Sequence, residues 1–259
     1  MNQTKKDSSY TEQRVLWVKK HTPKLLSFGI TRPADFDFIA GQFAKLGFMN
    51  GEEYVSRAYS MISAEDAEHL DFYAILIEGG VMSAHFAQMK AGDTLLLEKK
   101  AVGFFTVNRI PQGKDLILLA TGSGIAPFLS MLESEQFWHK ADKIMLVHSV
   151  SYADDLVFEQ YLANLKAHSV VGKYAEKLVY QPVVTREKMP GALHRRIPQL
   201  LASGELEQAL NIQFNKADTR FLICGNPAMV KESYDYLKAQ GYALHRMRKD
   251  GEIMMENAF

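Results

Sequence analysis

A change of pattern at residues 109–115 limits the possible folds of this chain more than any other sequence feature. Four continuous apolar runs follow it: "LILLAT", "KIMLVHSV", "KLVYQPVVT" and "RFLICG". Runs of this kind are typical of strands that are buried on both faces of a sheet. Helical segments alternate with them, and such alternation predicts a doubly wound α/β domain with a parallel sheet.

The first hundred residues follow a different pattern. Short runs rich in β-branched and aromatic residues are separated by Gly, Pro, Asn and Asp. One helix is predicted, with Ser83 as its N-cap and Gly92 just beyond its end. Several short strands with a single helix predict an antiparallel β-barrel. The expected fold is therefore a two-domain chain, with a β-barrel over residues 1–110 and the α/β domain over residues 111–259, joined near Pro111.

Composition excludes several classes of protein. Thirty basic and thirty acidic side chains cancel, so neither a nucleic-acid partner nor a polybasic membrane anchor is expected. The single cysteine, Cys224, excludes a disulfide or a cysteine-ligated cluster within the chain. His85, His148 and His194 lack metal-ligand spacing, so no metal is expected. No apolar signal core or run of roughly 20 apolar residues is present, and a cytoplasmic protein is expected.

Two segments of the barrel half have residues suited to a nucleotide. In "RAYS", Arg57 and Tyr59 share one face of a strand, where a guanidinium can bind phosphate and a ring can stack. In "EGGVMSAHF", Gly79 and Gly80 permit a tight turn into a helix whose first N–H groups favour an anion. Each segment alone is equally compatible with an ordinary barrel strand or an ordinary capped helix.

A third segment, "ATGSGIAPF" (Ala120–Phe128), lies where a buried strand passes into a helix. Gly122 and Gly124 would allow a ligand to approach the start of the helix closely. Pro127 fits the first helical turn, where its missing N–H costs little, but it replaces the third glycine of the usual dinucleotide fingerprint. A tight turn into a packed helix is the alternative interpretation.

Taken in order, these motifs resemble those of bacterial-type ferredoxin–NADP(+) reductases, also called flavodoxin reductases. The segments that carry the resemblance are "RAYS", "FYAI" (Phe72–Ile75), "GVMS" (Gly80–Ser83), "TGSGIAP" and "CGNPAMV" (Cys224–Val230). The resemblance extends over nearly the whole chain. It implies an FAD-dependent reductase that moves hydride from NADPH to flavin N5 and then passes electrons to a one-electron carrier.

The resemblance assigns FAD to the barrel. It implies that Arg57 contacts the phosphates, that Tyr59 stacks on the isoalloxazine and that Ser60 lies near N5. The other FAD contacts that it implies are Ala58, Tyr73, Ala74, Ile75, Leu76, Gly80, Val81, Met82, Ser83 and Ser123.

The resemblance assigns NADP(H) to the α/β domain. The residues that it implies around the pyrophosphate and ribose are Thr121, Gly122, Gly124, Pro127 and Asn226. Those that it implies for the 2′-phosphate are Thr185, Arg186 and Arg196, the last a better match than Arg195. Ser151 stands where related reductases often have arginine, which predicts a weaker preference for NADPH over NADH.

The catalytic residues that the resemblance implies are Ser60, Cys224 and Phe259. Cys224 would pack near the nicotinamide, although a buried structural cysteine is the simpler interpretation of that residue alone. Phe259, the last residue, would cover the flavin and move aside for the nicotinamide, as a gate.

Because the chain has no cysteines for a cluster of its own, the expected transient partner is a separate carrier, ferredoxin or flavodoxin, bound by a monomer. "HRMRK" (His245–Lys249) and Lys99–Lys100 are candidates for a basic docking rim, although scattered solvated charge explains them equally well. Three alternatives stay open at this point. The first is an NAD(P)H-dependent reductase whose acceptor is free flavin, an iron chelate or an oxygenase component. The second is an electron-transfer subunit of a larger complex, and the third is a non-enzymatic FAD-binding sensor.

Overall fold

Residues 9–258, the part of the chain described by a computed structural model, form two β-sheets with different strand pairing. A six-stranded antiparallel sheet is followed by a five-stranded parallel sheet with helices. This confirms the two-domain fold class that the change of pattern predicts. The first sheet ends at Glu98 and the second begins at Asp115, so the proposed boundary near Pro111 lies in the connection between them.

The first sheet consists of β1 (Tyr10–Thr22), β2 (Leu25–Thr31), β3 (Phe43–Asn50), β4 (Glu53–Ser60), β5 (His69–Ile75) and β6 (Thr94–Glu98). Its strand order is β4-β3-β6-β1-β2-β5. A bridge between Met61 and Phe72 connects the two edge strands, and the N–H of Ile62 donates to the carbonyl of Asp71 at 2.8 Å. The sheet therefore curls into a nearly closed barrel around buried side chains such as Phe28 and Phe86.

The single helix of the barrel domain, α1 (Val81–Gln88), begins earlier than predicted. Gly80 is its N-cap residue, with extended backbone (φ −76°, ψ 127°), and the assignment of Ser83 as N-cap is wrong. The Ser83 hydroxyl instead accepts the N–H of Ile77 at 2.8 Å. Ser83 therefore stabilises the turn that enters the helix from inside the first helical turn.

The second sheet contains β7 (Asp115–Thr121), β8 (Lys143–Val150), β9 (Leu178–Val184), β10 (Thr219–Gly225) and β11 (Ile253–Asn257). All neighbouring strands are parallel, in the order β11-β10-β7-β8-β9. The chain adds β8 and β9 on one side of β7 and then returns to place β10 on the other side. The carboxyl ends of β7 and β10 therefore border the crevice at the topological switch point, where such sheets bind ligands.

Helices cover both faces of the parallel sheet. They are α2 (Ala126–Glu133), α3 (Glu135–Trp138), α4 (Glu159–Ala163), α5 (Ile197–Ser203), α6 (Glu205–Leu210) and α7 (Pro227–Ala239). Along β7, Leu116 and Leu118 pack into one core, and Ile117 and Leu119 pack into the other. This explains why the strands appear in the sequence as continuous apolar runs.

Several predicted helical segments are divided in the structure. Gly204 adopts a left-handed conformation (φ 76°) that ends α5 before α6 begins. Ser134 separates α2 from α3. The segment "LVFEQYLANLKAH" contains only α4 and a short 3₁₀ turn at Leu165–Ala167.

The two domains are packed against each other next to β5. Tyr73 of this strand lies edge-on to Phe158 of the second domain with ring centroids 4.9 Å apart, and the ring of His21 in β1 lies 6.2 Å from the same phenylalanine ring. The turn Gly122–Ile125, which follows β7, also packs against β5. The loop that follows β7 therefore adjoins the barrel of the other domain. Among the helices of residues 9–258, none is both long and apolar enough to cross a bilayer.

Candidate functional site

The barrel presents an exposed cation on β4 and a free helix N-terminus on α1. Arg57 is exposed on the edge strand β4, and within residues 9–258 its guanidinium makes no ion pair, only a bond of 2.7 Å to the carbonyl of Ser56. Helix α1 packs against β4. Its N-terminus has no side-chain cap and no acidic residue in the first turn. The first N–H groups of this helix are therefore available to an anion such as a pyrophosphate.

Exposed apolar side chains lie around this helix start. Ile75, Ile77 and Val81 are each more than a third exposed. Gly79 has φ +73°, a conformation that favours glycine, and it turns the chain into α1. The combination of unpaired cation, free N–H groups and apolar side chains fits a ligand that is anionic at one part and flat and apolar at another, as FAD is.

The predicted FAD residues of β5 differ in how far their side chains are exposed to a ligand. The side chain of Tyr73 is buried against the second domain, and that of Ala74 is buried in the barrel core, so Ile75 is the residue of β5 with an exposed side chain at this point. Leu76 is half-buried, and its N–H donates to the carbonyl of Lys24.

On β4, Ala58, Tyr59 and Ser60 are half-buried. The Tyr59 ring lies 5.2 Å from that of Phe86 in α1, and burial raises the pKa of Tyr59 to about 12. Tyr59 therefore stays neutral at physiological pH, with its ring held between the barrel edge and the helix.

The loop after β7 is joined to the loop after β10. The Thr121 hydroxyl accepts the N–H of Asn226 at 2.8 Å, and the Asn226 side chain in turn accepts the N–H of Ala228 and caps α7. Pro127 lies in the first turn of α2, as predicted. Gly122 has φ +52° and an open side, whereas a side chain on Gly124 would collide with the neighbouring loop. Gly122 is therefore the glycine of the pair that faces open space.

Two of the candidate 2′-phosphate residues, Thr185 and Arg186, lie beside the end of β8. The N–H of Arg186 donates to the carbonyl of Ser151 at 3.0 Å, and its guanidinium lies 5.9 Å from the Tyr152 ring centroid. The hydroxyl of Thr185 donates to the carbonyl of Val150. These contacts place Arg186 directly beside Ser151, the position at which the sequence lacks an arginine.

Arg195 and Arg196 are in different environments. Arg195 forms an ion pair of 2.6 Å with Glu205. Arg196 is exposed at the N-cap of α5, and within residues 9–258 its guanidinium has no ion-pair partner. Arg196, the arginine without an ion-pair partner among these residues, is therefore also the one that the sequence motif favours for the 2′-phosphate.

Glu256 is a candidate site residue that the sequence analysis missed. It is the register partner of Cys224 on the neighbouring strand, and burial raises its pKa to about 7. Burial, and to a smaller extent the charge of Glu256, raises the pKa of the Cys224 thiol, which stays protonated. The only sequence signal was an acidic residue within the apolar final strand.

The barrel and the sheet meet at Glu256. Its carboxylate oxygen lies 3.6 Å from the place where a Cβ on Gly103 would stand, and Gly103 contacts the Phe43 ring. Phe43 is the register partner of Ser60. Ser60, Cys224 and Glu256 are thus brought to one region from three distant parts of the chain.

Phe259 lies outside the described residues. The preceding Ala258 donates its N–H to the carbonyl of Gly225 at 2.9 Å, so the chain at this point is held against the CGNP loop. Within residues 9–258, no group of three His, Cys, Asp or Glu side chains could hold a metal ion.

Two neighbouring cavities, one lined by Glu256 and the other by an exposed basic hairpin, share Arg109 and His245 in their walls and are together called the groove. Phe104 lines the part next to Glu256 and Met247 lines the part next to the hairpin, and the two residues are 71% and 77% exposed. The guanidinium of Arg109 lies 5.3 Å from the Phe104 ring centroid and lines both parts of the groove. Arg246 and Lys249 pair across the hairpin that carries Met247.

Comparison with known proteins agrees with the two-domain arrangement. Residues 18–103 match the family "Oxidoreductase FAD-binding domain", and residues 118–234 match "Oxidoreductase NAD-binding domain". The chain is 37% identical over 253 residues to a flavodoxin/ferredoxin–NADP reductase of Buchnera aphidicola, covering 96% of this chain and 99% of the relative. It is 32% identical to a ferredoxin–NADP reductase of Azotobacter vinelandii, with 97% and 98% covered.

A solved structure gives the same result. The ferredoxin NADP+ reductase of Neisseria gonorrhoeae, crystallised with bound FAD and NADP, superposes with a TM-score of 0.91 and 48% identity. The match covers 98% of this chain and 100% of that one. The similarity thus extends over nearly the whole length of these proteins, and the chain belongs to the family of ferredoxin/flavodoxin–NADP reductases, which are NADP-dependent oxidoreductases.

Proposed function

We propose that this protein is an FAD-containing reductase that oxidises NADPH and delivers electrons one at a time to a small acidic protein carrier, a flavodoxin or a ferredoxin. The observation that carries the proposal is the meeting of two nucleotide-type sites. The turn that contains Gly122 packs against β5, the barrel strand that contacts β4 and leads towards α1, and Ser60, Cys224 and Glu256 lie in the region where barrel and sheet meet.

In this proposal the barrel residues bind FAD. Arg57 and the first N–H groups of α1 neutralise the phosphates, while Ile75, Ile77 and Val81 cover apolar parts of the ligand. When bound, the flavin supplies the chemistry that converts a two-electron donor into single-electron steps. The side chains of this chain orient the reactants and exclude water.

The α/β domain binds and orients the coenzyme. The loop Thr121–Ser123 borders the pyrophosphate, and Arg186 and Arg196 provide cations for the 2′-phosphate. Because Ser151 supplies no third cation, we expect the preference for NADPH to be present but reduced.

Glu256 can hold or release a proton at its carboxylate near neutral pH, since burial raises its pKa to about 7. Cys224 stays a neutral thiol, because burial raises its pKa. Both side chains are therefore largely uncharged at pH below about 7.

The groove beside Glu256 is the proposed docking surface for the carrier. It combines exposed Phe104 and Met247 with cationic Arg109 and Arg246, a combination suited to an acidic partner with an apolar centre. We propose that the protein acts on its carrier as a monomer.

A direct test begins with the purified protein, which should be yellow with one FAD per chain. NADPH added without oxygen should bleach the flavin, and addition of oxidised flavodoxin or ferredoxin should restore the colour. A colourless protein that takes up no FAD overturns the proposal. Rapid reduction of free flavin or iron chelates together with no reduction of either carrier would favour the alternative acceptors.

The docking surface has its own control. Arg246→Glu should raise KM for an acidic flavodoxin severalfold and weaken its dependence on salt, while ferricyanide reduction is unchanged. Arg14→Glu is the matched control, because Arg14 faces Thr94 at the opposite end of β6 from the groove. Equal effects of both variants would exclude this groove as the docking surface.

A further inference from the structure

His148, on the parallel strand β8, is the buried titratable group that the proposed chemistry does not use. It is fully buried, and it shares a face of the sheet with Leu146, which packs in the apolar core. Its Nε2 lies 3.0 Å from the carbonyl oxygen of Gly122. His148 therefore connects the sheet interior to the nucleotide loop.

The partner atom determines the tautomer. A carbonyl oxygen can only accept, so Nε2 carries the hydrogen and donates it to Gly122. Nδ1 is then a bare acceptor, and within residues 9–258 it is buried without a hydrogen-bond partner. Burial lowers the pKa of His148 to about 4, so the ring is neutral at physiological pH.

The unpaired Nδ1 lowers the stability of the folded protein, whereas an apolar side chain at this position would not. A buried acceptor with no hydrogen-bond partner destabilises the folded state. The other side chains on this face of β8, Ile144 and Leu146, are aliphatic and leave no polar atom unpaired. The single gain that the structure shows for the imidazole is its bond to Gly122.

That bond controls the direction of one peptide group. Gly122 has φ +52°, in the left-handed region, and no atom of residues 9–258 beyond its two chain neighbours lies within 4 Å of the place where its Cβ would stand. The carbonyl of Gly122 and the N–H of Ser123 belong to the same planar trans peptide and point in opposite directions. With the carbonyl held inward by His148, the Ser123 N–H is directed away from the core.

The Ser123 N–H has no acceptor within its own helix. Ser123 is the second residue of the 3₁₀ turn Gly122–Ile125, which leads into α2, and N–H groups in a first turn have no partner from that turn. We propose that His148 is a positioning residue that holds the Gly122–Ser123 peptide so that its N–H faces the pyrophosphate–ribose part of NADP(H). This inference rests on the proposed function.

The test compares variants of the FAD-containing protein by calorimetric titration with NADP+ and with 2′-AMP. 2′-AMP reports on the 2′-phosphate end alone. His148→Leu removes the donor, whereas His148→Gln returns an amide N–H at about the reach of Nε2. Ser130→Ala is the control, since it deletes another fully buried bond to a carbonyl, 2.8 Å to Ser63, away from the loop.

We expect His148→Leu to weaken NADP+ binding about tenfold, with 2′-AMP binding unchanged and with His148→Gln close to the wild type. Ser130→Ala should bind both ligands normally. Unchanged NADP+ binding in His148→Leu, equal loss for both ligands, or a Gln variant as weak as Leu would each overturn the inference.

A second comparison applies if His148→Leu does not fold. His148→Asn keeps an amide but is too short to reach Gly122, so it should bind NADP+ about tenfold more weakly than His148→Gln. Equal affinity of these two variants overturns the inference while the proposed function stands. A wild-type protein that binds no NADP+ overturns the proposed function itself.

Discussion

Gly124 and Cys224 are in contact across the crevice between β7 and β10. A Cβ on Gly124 would lie 2.4 Å from the carbonyl oxygen of Cys224 and 2.6 Å from the Cα of Gly225. Glycine is therefore required at this position by the packing of two backbones. The sequence suggested that Gly124 is a glycine so that a ligand can approach, but backbone packing alone accounts for it. Gly122 is the position that is open to a ligand.

The contact predicts a large effect of Gly124→Ala. We expect a loss of roughly 1–3 kcal/mol in the free energy of unfolding, because overpacked backbones must separate. NADP+ affinity should fall in parallel, because Asn226 is attached to the same loop. Urea denaturation and NADP+ titration measure the two effects. Gly122→Asn is the control for stability, since Asn tolerates the left-handed conformation and meets no atom. Equal stability of Gly124→Ala and the wild type would contradict the contact.

The different environments of the paired arginines predict different coenzyme effects. Arg196→Ala should raise KM for NADPH about tenfold or more and leave KM for NADH nearly unchanged, because a charge-assisted bond to the 2′-phosphate is lost. Arg195→Ala should change neither KM much, because Arg195 is already paired with Glu205. Steady-state kinetics with ferricyanide as acceptor makes the comparison. An equal rise for both coenzymes in Arg196→Ala would exclude the phosphate role.

Glu256 predicts a loss of stability at higher pH in the protein without FAD. Its pKa is raised from 4.5 to about 7 by burial, so the folded state binds a proton more tightly than the unfolded state. Its contribution is favourable below pH 4.5 and is lost as the pH rises through about 7, by up to about 3 kcal/mol. Glu256→Gln should remove this slope. Urea denaturation from pH 4 to 8 measures the difference, and parallel curves for both proteins would refute the assignment.

His148 predicts the opposite dependence at acidic pH. Its pKa is lowered from 6.5 to about 4, so the unfolded state binds the proton more tightly. The wild type should lose up to about 3 kcal/mol relative to His148→Gln as the pH falls from 6.5 to 4. The difference between the two denaturation series isolates this histidine, because other titrating groups are common to both proteins. A difference that does not vary with pH would mean that His148 titrates normally.

Most of the fold was predictable because its signals are local. The apolar runs 116–121, 143–150 and 220–225 are strands, and the short barrel runs are strands as well. Helix ends were less predictable. Gly204 divides one predicted helix, and Gly80 rather than Ser83 caps α1, because capping depends on the conformation of the residue that precedes the helix.

The site was predictable where a motif is continuous in sequence and less so where it is assembled from distant strands. The loop Thr121–Pro127 is one segment and was found. Glu256 is isolated in sequence, and its perturbed pKa arises from burial beside Cys224 on the neighbouring strand. In the sequence His148 carries no signal beyond its lack of metal-ligand spacing, because its bond to Gly122 depends on β7 and β8 being adjacent in the sheet.

By itself the sequence determined the two domains, the strands and the order of the nucleotide motifs, since periodicity and turn residues act over a few neighbours. The tertiary structure decided which groups are free and which are paired or buried. Within residues 9–258 the Arg196 guanidinium has no ion-pair partner, whereas Arg195 is held by Glu205. Gly124 serves packing, whereas Gly122 faces open space. These distinctions depend on contacts between residues far apart in the chain, and a local pattern carries no information about such contacts.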